Sequence, residues 1–394
     1  MPLGPRGTIG ETMRIVISGY YGFGNSGDEA ILAALIAELQ RRLPAAQLTV
    51  LSAAPQATTS QYGVAAVARW SPRAVWRALR GAELLISGGG GLIQDTTSAL
   101  SPLYYLAILR LARLVGVPYM IFAQGIGPLR SHLVRRATAR CFRRAAAITV
   151  RDEQSAQLLA ELGLTTPQPE VTADPAVLLA PCPSERTREL LTKRGLAPGS
   201  PVVGLALRSW PGTDIARPAA ALIRHIREAY SAQTLLIPFQ PEQDLSLAWQ
   251  VAGEAKGHVR ILEPAVTPQE LRGVISRLDL LVSMRLHGLI FAAAAEVPAL
   301  AVVYDPKVAA FAQRAGQPMM GLADLEREHL ITAVMQLWEA RAQGSGARHQ
   351  AAEDLRRAAA RNFDILVALL GPSASQAARA VIRSAGGGER RACS

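Results

Sequence analysis

Short apolar runs alternate along the chain with longer segments in which apolar residues recur at helical spacing. Alternation of this kind is typical of βα units that build a parallel sheet. Ser26 and Glu29 stand at capping-box spacing before the first helical segment. In the first half, the pattern predicts strands at 14–18, 48–52, 83–87, 118–123 and 146–150, and helices near 28–43, 71–80, 102–115, 129–145 and 152–163.

A proline-rich stretch from Pro167 to Pro183 interrupts this rhythm, and domain boundaries favour such segments. We therefore predict an N-terminal domain at 13–183 and a C-terminal domain at 184–372, with flexible termini at 1–12 and 373–394. Both halves follow the same pattern, so we expect an α/β protein with two Rossmann-like, doubly wound domains that face each other across a cleft. The second half has predicted strands at 201–207, 233–237, 258–262, 279–283 and 298–303, and closing helices near 323–342 and 346–370.

The net charge of +11 favours anionic partners. Basic residues are scattered along helices without aromatic interleaving, which argues against nucleic acid. An arginine-rich composition also follows from genomic base composition, so membrane headgroups, phosphorylated metabolites and plain codon bias all remain open explanations. Three separated cysteines suit a reducing cytoplasm, and no run offers the roughly 20 clean apolar residues of a membrane span. We expect a cytoplasmic protein that can contact the inner face of the membrane.

The first candidate loop, residues 19–29, joins the first strand to the first helix. Its glycines allow sharp turns and close backbone approach, and the helix N-terminus that follows attracts anions. Asp28 is either a helix-start residue favoured by the dipole or a carboxylate that accepts a proton from a substrate hydroxyl. The candidate substrate-binding residues of this loop are Gly22, Gly24, Asn25 and Gly27.

A second glycine loop follows the strand at 83–87. Four consecutive glycines are hard to explain by packing, since each costs roughly 1 kcal/mol of order relative to alanine. Close approach of the backbone to a ligand is the better explanation, and Gly89, Gly90 and Gly91 are its candidates. Gln124, directly after the strand at 118–123, begins another glycine-containing segment at a strand end and is a weaker candidate for substrate binding.

Cationic side chains follow several strands in both halves of the chain. Arg285 and His287 lie two apart after the apolar strand at 279–283, which places a fixed cation beside an imidazole that can donate or accept a proton near neutral pH. Arg151 and Arg208 also follow strands, where each either grips an anion or forms a surface ion pair. Lys307, one of few lysines, either binds an anion or belongs to an ordinary helix-start turn.

The sequence lacks the residue patterns that serine hydrolases and metalloenzymes need. No G-x-S-x-G nucleophile elbow occurs, and no HExxH or clustered carboxylates suggest a metal, so we expect neither a metal nor a cofactor.

Several segments together resemble the polysaccharide pyruvyltransferase family, most closely its CsaB type. The resemblance extends from about Met13 to about Leu370 and includes RIVISGYYGFGNSGDEAIL, ISGGGGLIQD, FAQGIGPL, TVRD, TADPA, SMRLHGLIFAAA and VVYDPKV. The family is similar in architecture to GT-B glycosyltransferases, with the active site in the cleft between two Rossmann-like domains.

The resemblance implies transfer of the enolpyruvyl group of phosphoenolpyruvate, a co-substrate, to two sugar hydroxyls, with release of phosphate. For the CsaB type the acceptor is typically N-acetylmannosamine on a lipid-linked cell-wall precursor, and the ketal anchors S-layer proteins. It implies that Arg285, with Arg151, Arg208 and Lys307, holds the donor on the C-terminal side. His287 would be the general acid. Asp28 would be the base on the N-terminal, acceptor side.

Two alternatives remain open from the sequence. A GT-B glycosyltransferase that uses a nucleotide sugar would usually need an acidic residue in the second domain for the ribose, and Glu296 is the candidate. A non-catalytic protein that binds sugar phosphates is the other alternative.

Overall fold

The computed structural model describes residues 13–96, 100–262 and 266–371. The predicted flexible termini, 1–12 and 373–394, lie outside these ranges, as does the last residue of the predicted C-terminal domain. Within the described ranges, no helix is long and apolar enough to cross a membrane.

The first half of the chain forms a parallel sheet with helices on both faces. In space the strands follow the order β3-β2-β1-β4-β6-β7-β8, and β5 pairs with β6. The elements are β1 (Arg14–Ser18), α1 (Ser26–Arg42), β2 (Gln47–Ser52), α2 (Pro55–Tyr62), β3 (Ala65–Ala68), α3 (Pro72–Leu79), β4 (Leu84–Ser87), β5 (Gly90–Ile93), α4 (Leu100–Leu114), β6 (Tyr119–Ile126), α5 (His132–Phe142), β7 (Ala147–Val150), α6 (Glu153–Glu161) and β8 (Glu170–Val171), followed by a 3-10 helix at Pro175–Leu178.

The second half forms another parallel sheet, in the order β11-β10-β9-β12-β13-β14. Strand β12 is buried along its whole length, as expected for a continuous apolar run inside a parallel sheet. The elements are α7 (Ser184–Lys193), β9 (Val202–Ala206), α8 (Ala216–Tyr230), β10 (Gln233–Leu236), α9 (Pro241–Glu254), β11 (Arg260–Ile261), α10 (Pro268–Ile275), β12 (Leu280–Ser283), α11 (Leu286–Ala294), β13 (Ala299–Val303), α12 (Pro306–Arg314), β14 (Met319–Gly321), a 3-10 helix at Leu322–Asp324, α13 (Arg327–Ala340) and α14 (Ser345–Leu370).

The predicted strands and helices are present within a few residues of their expected bounds, but α2, β3, β5, β8, α7, α12 and β14 were not predicted. Helix α2 and strand β3 carry few large apolar residues and lie at the edge of the first sheet, so their apolar pattern is weak. Strand β5 continues from the glycine run, which the sequence suggested to be a loop.

The predicted capping box of Ser26 and Glu29 is wrong. Helix α1 is capped by Asn25, whose side chain accepts a hydrogen bond from Gly27 N at 3.0 Å. Glu29 instead accepts hydrogen bonds from Gly22 N at 2.7 Å and from Tyr62 Oη at 2.8 Å. Its carboxylate therefore holds the glycine loop against α2 rather than capping the helix.

The last helix, α14, packs on both sheets. Its later turns bury Phe363 and Leu366 in the first-domain core, where the Phe363 ring meets the Phe122 ring with centroids 5.1 Å apart. Its earlier turns place Leu355 and Ala359 against the second domain. The predicted boundary near residue 183 falls between the sheets, yet the end of the chain returns to the first domain and joins the two.

Replacing Phe363 by alanine tests this packing. The side chain is fully buried, so Phe363→Ala should lower the free energy of unfolding by about 3–5 kcal/mol, the usual cost of truncating a buried phenylalanine. Urea denaturation followed by circular dichroism measures the change. Arg357→Ala, on an exposed side of the same helix, should stay within about 0.5 kcal/mol. Equal effects of the two substitutions would contradict this packing.

Candidate active site

A cavity of about 440 Å³ lies between the carboxyl ends of the two sheets. Open α/β sheets bind ligands at this edge, because loops and helix N-termini converge there. The first domain contributes Tyr20, Asn25, Asp28, Gly90, Gly91, Tyr105 and Arg151 to the lining, and the second contributes Arg208, Gln240, Gln243, Arg285, His287, Tyr304 and Lys307.

Arg285 is held by a carboxylate that the sequence analysis did not identify. It is the N-cap residue of α11, and its Nη2 forms an ion pair with Asp244 Oδ1. The other oxygen of Asp244 accepts hydrogen bonds from Phe239 N and Gln240 N, each at 3.0 Å. Arg285 Nε is buried and has no hydrogen-bond partner among the described residues. The guanidinium is thus anchored on one edge and has an unused donor on another.

His287, in the first turn of α11, reaches across to the first domain. Its Nε2 lies 3.6 Å from Asp174 Oδ2, and only 14% of its side chain is exposed. A Cβ added to Gly27 would lie 2.1 Å from His287 Nδ1, so this position of α1 has no room for a side chain. A hydrogen bond from Ser26 N to Phe239 O at 3.0 Å joins the domains at the same point.

Asp174 links Arg151 of the first domain to His287 of the second. Its Oδ2 accepts a hydrogen bond from Arg151 Nη1 at 3.1 Å and faces His287, while its Oδ1 accepts one from Ala176 N at 3.1 Å. Burial opposes ionisation of this carboxyl, yet His287, Arg151 and the Ala176 amide together hold its pKa below the ordinary value. Asp174 is therefore a fixed anion beside the cavity.

Arg151 is not a surface residue. It is buried, and besides Asp174 it approaches Asp152, with Nε 3.6 Å from Oδ2. A Cβ on Gly125 would lie 2.7 Å from Arg151 Nε, so the glycine leaves the space that the guanidinium occupies. Arg151 therefore forms ion pairs, as one prediction expected, and it also lines the cavity, where the other prediction expected it to bind an anion.

Asp28 has a different environment from Asp174. It lies in the first turn of α1, and burial raises its pKa from 3.8 to about 6, with Glu29 and Asp174 adding to the rise and His287 and Arg151 opposing it. Gly90, at φ +91°, lies so close that an added Cβ would be 2.7 Å from Asp28 Oδ1. A carboxyl that titrates near pH 6 can exchange protons at physiological pH.

Arg208 and Lys307 complete the basic side of the cavity. Arg208 Nη1 donates a hydrogen bond to Tyr304 Oη at 3.1 Å, and its guanidinium lies 5.0 Å from the centre of that ring. Lys307 Nζ lies 3.4 Å from Asp305 Oδ2, and 40% of the lysine side chain is exposed. Both cations line the cavity and retain further donors for an anion.

Aromatic rings form much of the first-domain wall. Tyr20 stacks on Phe23 with ring centroids 4.2 Å apart, and Tyr20 and Tyr105 both line the cavity. Behind them the buried Arg69 guanidinium lies 4.9 Å from the Phe23 ring and 5.3 Å from the Tyr105 ring. This wall offers apolar faces with polar tips, whereas the opposite wall offers cations.

The remaining predicted site residues lie outside the cavity lining. Gln124 is completely buried within β6, and its Nε2 donates to Ser87 Oγ at 2.8 Å. Gly22 adopts φ +80° against Ser52, Gly24 adopts φ +70° in open space, and Gly89 packs on Ile31. These residues shape the loops around the cavity. Within the described ranges, no group of three or more His, Cys, Asp or Glu side chains could hold a metal ion.

Solved structures share this two-domain arrangement. A UDP-GlcNAc 2-epimerase from Neisseria meningitidis aligns with a TM-score of 0.61 at 13% identity, over 90% of this chain and 100% of the epimerase. A putative UDP-N-acetylglucosamine 2-epimerase from Listeria monocytogenes gives 0.62 at 11% identity, over 90% and 96% of the two chains. A glycosyltransferase from Rickettsia africae gives 0.60 at 9% identity, over 92% and 100%. These neighbours confirm the expected GT-B-like fold.

Sequence comparison identifies the family more specifically. No curated protein sequence matches the chain. The family model for polysaccharide pyruvyl transferase, in contrast, matches residues 25–306. This range is well over half of the chain and includes Asp28, Arg151, Asp174 and the Arg285–His287 pair, so the protein belongs to the polysaccharide pyruvyl transferase family.

Proposed function

We propose that the protein transfers the enolpyruvyl group of phosphoenolpyruvate to two hydroxyls of a sugar, forming a cyclic pyruvate ketal and releasing phosphate. One observation carries the proposal. Four permanent cations, Arg151, Arg208, Arg285 and Lys307, line a single cavity beside His287, and the only carboxylate among the described lining residues is Asp28. Such a cavity suits a small donor that carries both a carboxylate and a phosphate.

The reaction needs one proton donor and one proton acceptor. His287 gives a proton to the methylene carbon of the donor or to the departing phosphate, and protonation of the carbon leaves C2 with oxocarbenium character. One sugar hydroxyl attacks C2 and loses its proton to Asp28. The C2–phosphate bond then breaks with its electron pair going to phosphate, and the second hydroxyl closes the ketal. Two hydroxyl protons are released, of which one balances the new methyl group and one leaves with phosphate.

The acceptor is the finer part of the proposal. We infer that it is a lipid-linked cell-wall precursor that ends in N-acetylmannosamine, as in the CsaB type, whose ketal serves S-layer anchoring. The aromatic wall of Tyr20 and Tyr105 supports a sugar on the Asp28 side, since apolar ring faces suit the C–H faces of a pyranose. Phosphoenolpyruvate is a cytoplasmic metabolite, so we place the reaction in the cytoplasm.

A nucleotide-sugar enzyme is the competing function, because the Neisseria neighbour is bound to UDP-GlcNAc. Such an enzyme would usually need a second-domain acidic residue at the ribose. Glu296 lies beyond the far end of α11, and its Oε1 is 3.0 Å from His349 Nδ1. It does not line the cavity, and no described lining residue of the second domain is acidic. The site therefore favours phosphoenolpyruvate.

Ligand-induced stabilisation separates the two donors. We expect phosphoenolpyruvate to raise the melting temperature in a thermal shift assay and UDP-GlcNAc to leave it unchanged, because the described lining of the second domain has no carboxylate for a ribose. Arg285→Lys should weaken the phosphoenolpyruvate effect at least about tenfold in midpoint concentration, since lysine lacks the planar fork of donors. Arg188→Lys, at an exposed position of the second domain, is the matched control. Stabilisation by UDP-GlcNAc alone would reject the proposed donor.

Product formation tests the reaction itself. The protein is incubated with phosphoenolpyruvate and a panel of lipid-linked disaccharides, including one that ends in β-linked N-acetylmannosamine, and mass spectrometry reads the added pyruvate. His287→Ala should lower product formation and phosphate release by about 10²–10⁴-fold, the usual contribution of a general acid. His349→Ala, on the exposed part of α14, should leave both unchanged. Unchanged release by His287→Ala would remove its assigned role.

The raised pKa of Asp28 predicts two pH effects. As the base, Asp28 must be ionised, so kcat/KM should rise with pH through about 6, and Asp28→Asn should abolish this acid limb together with most of the activity. The free energy of unfolding should change with pH in the direction opposite to kcat/KM. Because folding raises this pKa from 3.8 to about 6, the unfolded chain releases the proton first, and the wild-type protein loses stability as pH rises between these values.

The stability effect needs no substrate to measure. Urea denaturation at pH 4 to 8 should show that Asp28→Asn gains on the wild type as pH rises and that the gain levels off above about pH 6. Glu328→Gln, an exposed carboxyl in the first turn of α13, should show no such trend. A pH-independent difference for Asp28→Asn would contradict a buried carboxyl that titrates near pH 6.

A further inference from the structure

The basic residues were expected to be scattered along helices, but the net positive charge of the chain is concentrated in one segment. Residues 69–144 contain twelve arginines and no lysine against two carboxylates, Glu83 and Asp95, which gives +10 of the total net charge of +11. The rest of the chain is almost balanced. A general preference for arginine codons would explain the arginine content but would not remove the carboxylates from this one segment.

Seven of these twelve arginines lie on α3, α4 and α5 of the first domain, whereas Arg69 is buried. The buried sides of α3, α4 and α5 share a core cluster that includes Val75, Leu109 and Phe142, so their outer sides face solvent together. Asp95, one of the two carboxylates of this segment, accepts backbone hydrogen bonds from Arg130 N and Ser131 N at 2.7 Å each. Exposed arginines of this segment without an ion pair among the described residues include Arg73, Arg77, Arg110 and Arg136.

Large apolar side chains are exposed among these arginines. Of the eight large hydrophobic side chains that are exposed in the described ranges, five belong to this segment, so the same surface is both basic and apolar. They are Trp70 at 64%, Trp76 at 42%, Leu100 at 76%, Leu114 at 78% and Leu133 at 65% exposure. We call the outer sides of α3, α4 and α5, with these apolar residues and the exposed arginines, the α3–α5 face.

The α3–α5 face borders the cavity. Helix α4 begins at Leu100, and Ser101 and Tyr105 in its first turns line the cavity. Trp70 packs on Tyr104 of the same helix, with ring centroids 5.0 Å apart. A partner that covers this face would therefore lie next to the acceptor wall.

We propose that the α3–α5 face docks the protein on a bilayer with anionic headgroups. Arginines attract such headgroups while their apolar stems lie along the surface, and tryptophan and leucine side chains enter the boundary between headgroups and acyl chains. Nucleic acid fits less well, because leucines that protrude from helices neither stack on bases nor pair with phosphates. Only the further step, in which docking brings a lipid-carried acceptor to the cavity, rests on the proposed function.

Vesicle binding of the full chain tests the docking. The protein should sediment with vesicles of phosphatidylcholine and phosphatidylglycerol but not with vesicles of phosphatidylcholine alone, and added salt should weaken binding. Arg110→Glu with Arg136→Glu should lower the partition coefficient more than about tenfold, since each basic residue near an anionic surface strengthens binding by roughly fivefold. Trp76→Ala should lower it as well, through lost apolar insertion.

Matched substitutions on the second domain are the controls. Arg188→Glu with Arg327→Glu makes the same change of charge at exposed positions, and Trp249→Ala removes an exposed tryptophan from α9. Both should bind vesicles like the wild type. Circular dichroism and melting temperature confirm that every variant is folded.

Three outcomes would overturn the docking proposal: no sedimentation with anionic vesicles, equal loss of binding in the control variants, or tighter binding of duplex DNA that the Arg110 and Arg136 substitutions abolish. Its failure can be distinguished from that of the proposed function, because vesicle binding needs neither phosphoenolpyruvate nor a sugar. Conversely, ketal formation on a short water-soluble acceptor should be the same in the α3–α5 face variants and the wild type.

Discussion

Asp174 Oδ2 accepts a hydrogen bond from Arg151 Nη1 at 3.1 Å and lies 3.6 Å from His287 Nε2, so one buried carboxylate joins a cation of the first domain to an imidazole of the second. A buried charge is costly unless it is paired, so this contact favours the relative position of the domains in which all three groups meet. Arg314 of α12 reinforces that position by donating to Arg151 O at 3.0 Å. The cavity thus depends on an electrostatic contact between the domains as well as on apolar packing.

This contact requires an unusually close approach of backbone and side chains. His287 fits only because Gly27 has no Cβ, and the same holds for Asp28 and Gly90 across the cavity. The glycine loops were expected to admit a ligand. In the structure, these two glycines also make room for the proposed acid and base, and Gly90 in addition lines the cavity. Any side chain at either position would displace a proposed catalytic group before it met a substrate.

The sequence was sufficient to predict the alternation of strands and helices. It also predicted that the residues after the strands would lie together, because the carboxyl ends of parallel strands meet at one edge of a sheet. It could not reveal Asp174 and Asp244, whose partners Arg151 and Arg285 lie 23 and 41 residues away along the chain. Such pairs are set by how loops meet in three dimensions. TADPA contributed to the family resemblance, but no local rule assigned its aspartate a role. Gln124, in contrast, was predicted to bind substrate but lies outside the cavity lining, because β6 continues to Ile126 and buries the amide inside the sheet.

Two buried carboxyls near His287 have pKa values that are shifted in opposite directions. Asp174 has Arg151, His287 and an amide as partners, and its pKa is held below the ordinary range, whereas burial dominates at Asp28 and raises its pKa to about 6. Environments that separate the pKa values of neighbouring groups indicate a division of roles. Asp174 keeps its charge beside His287, which is the proposed acid. Asp28 can take up and release a proton near neutral pH, and because it belongs to the opposite domain, the proposed proton donor and the proposed proton acceptor approach the cavity from different sides. That arrangement suits a reaction in which carbon gains a proton while a hydroxyl loses one.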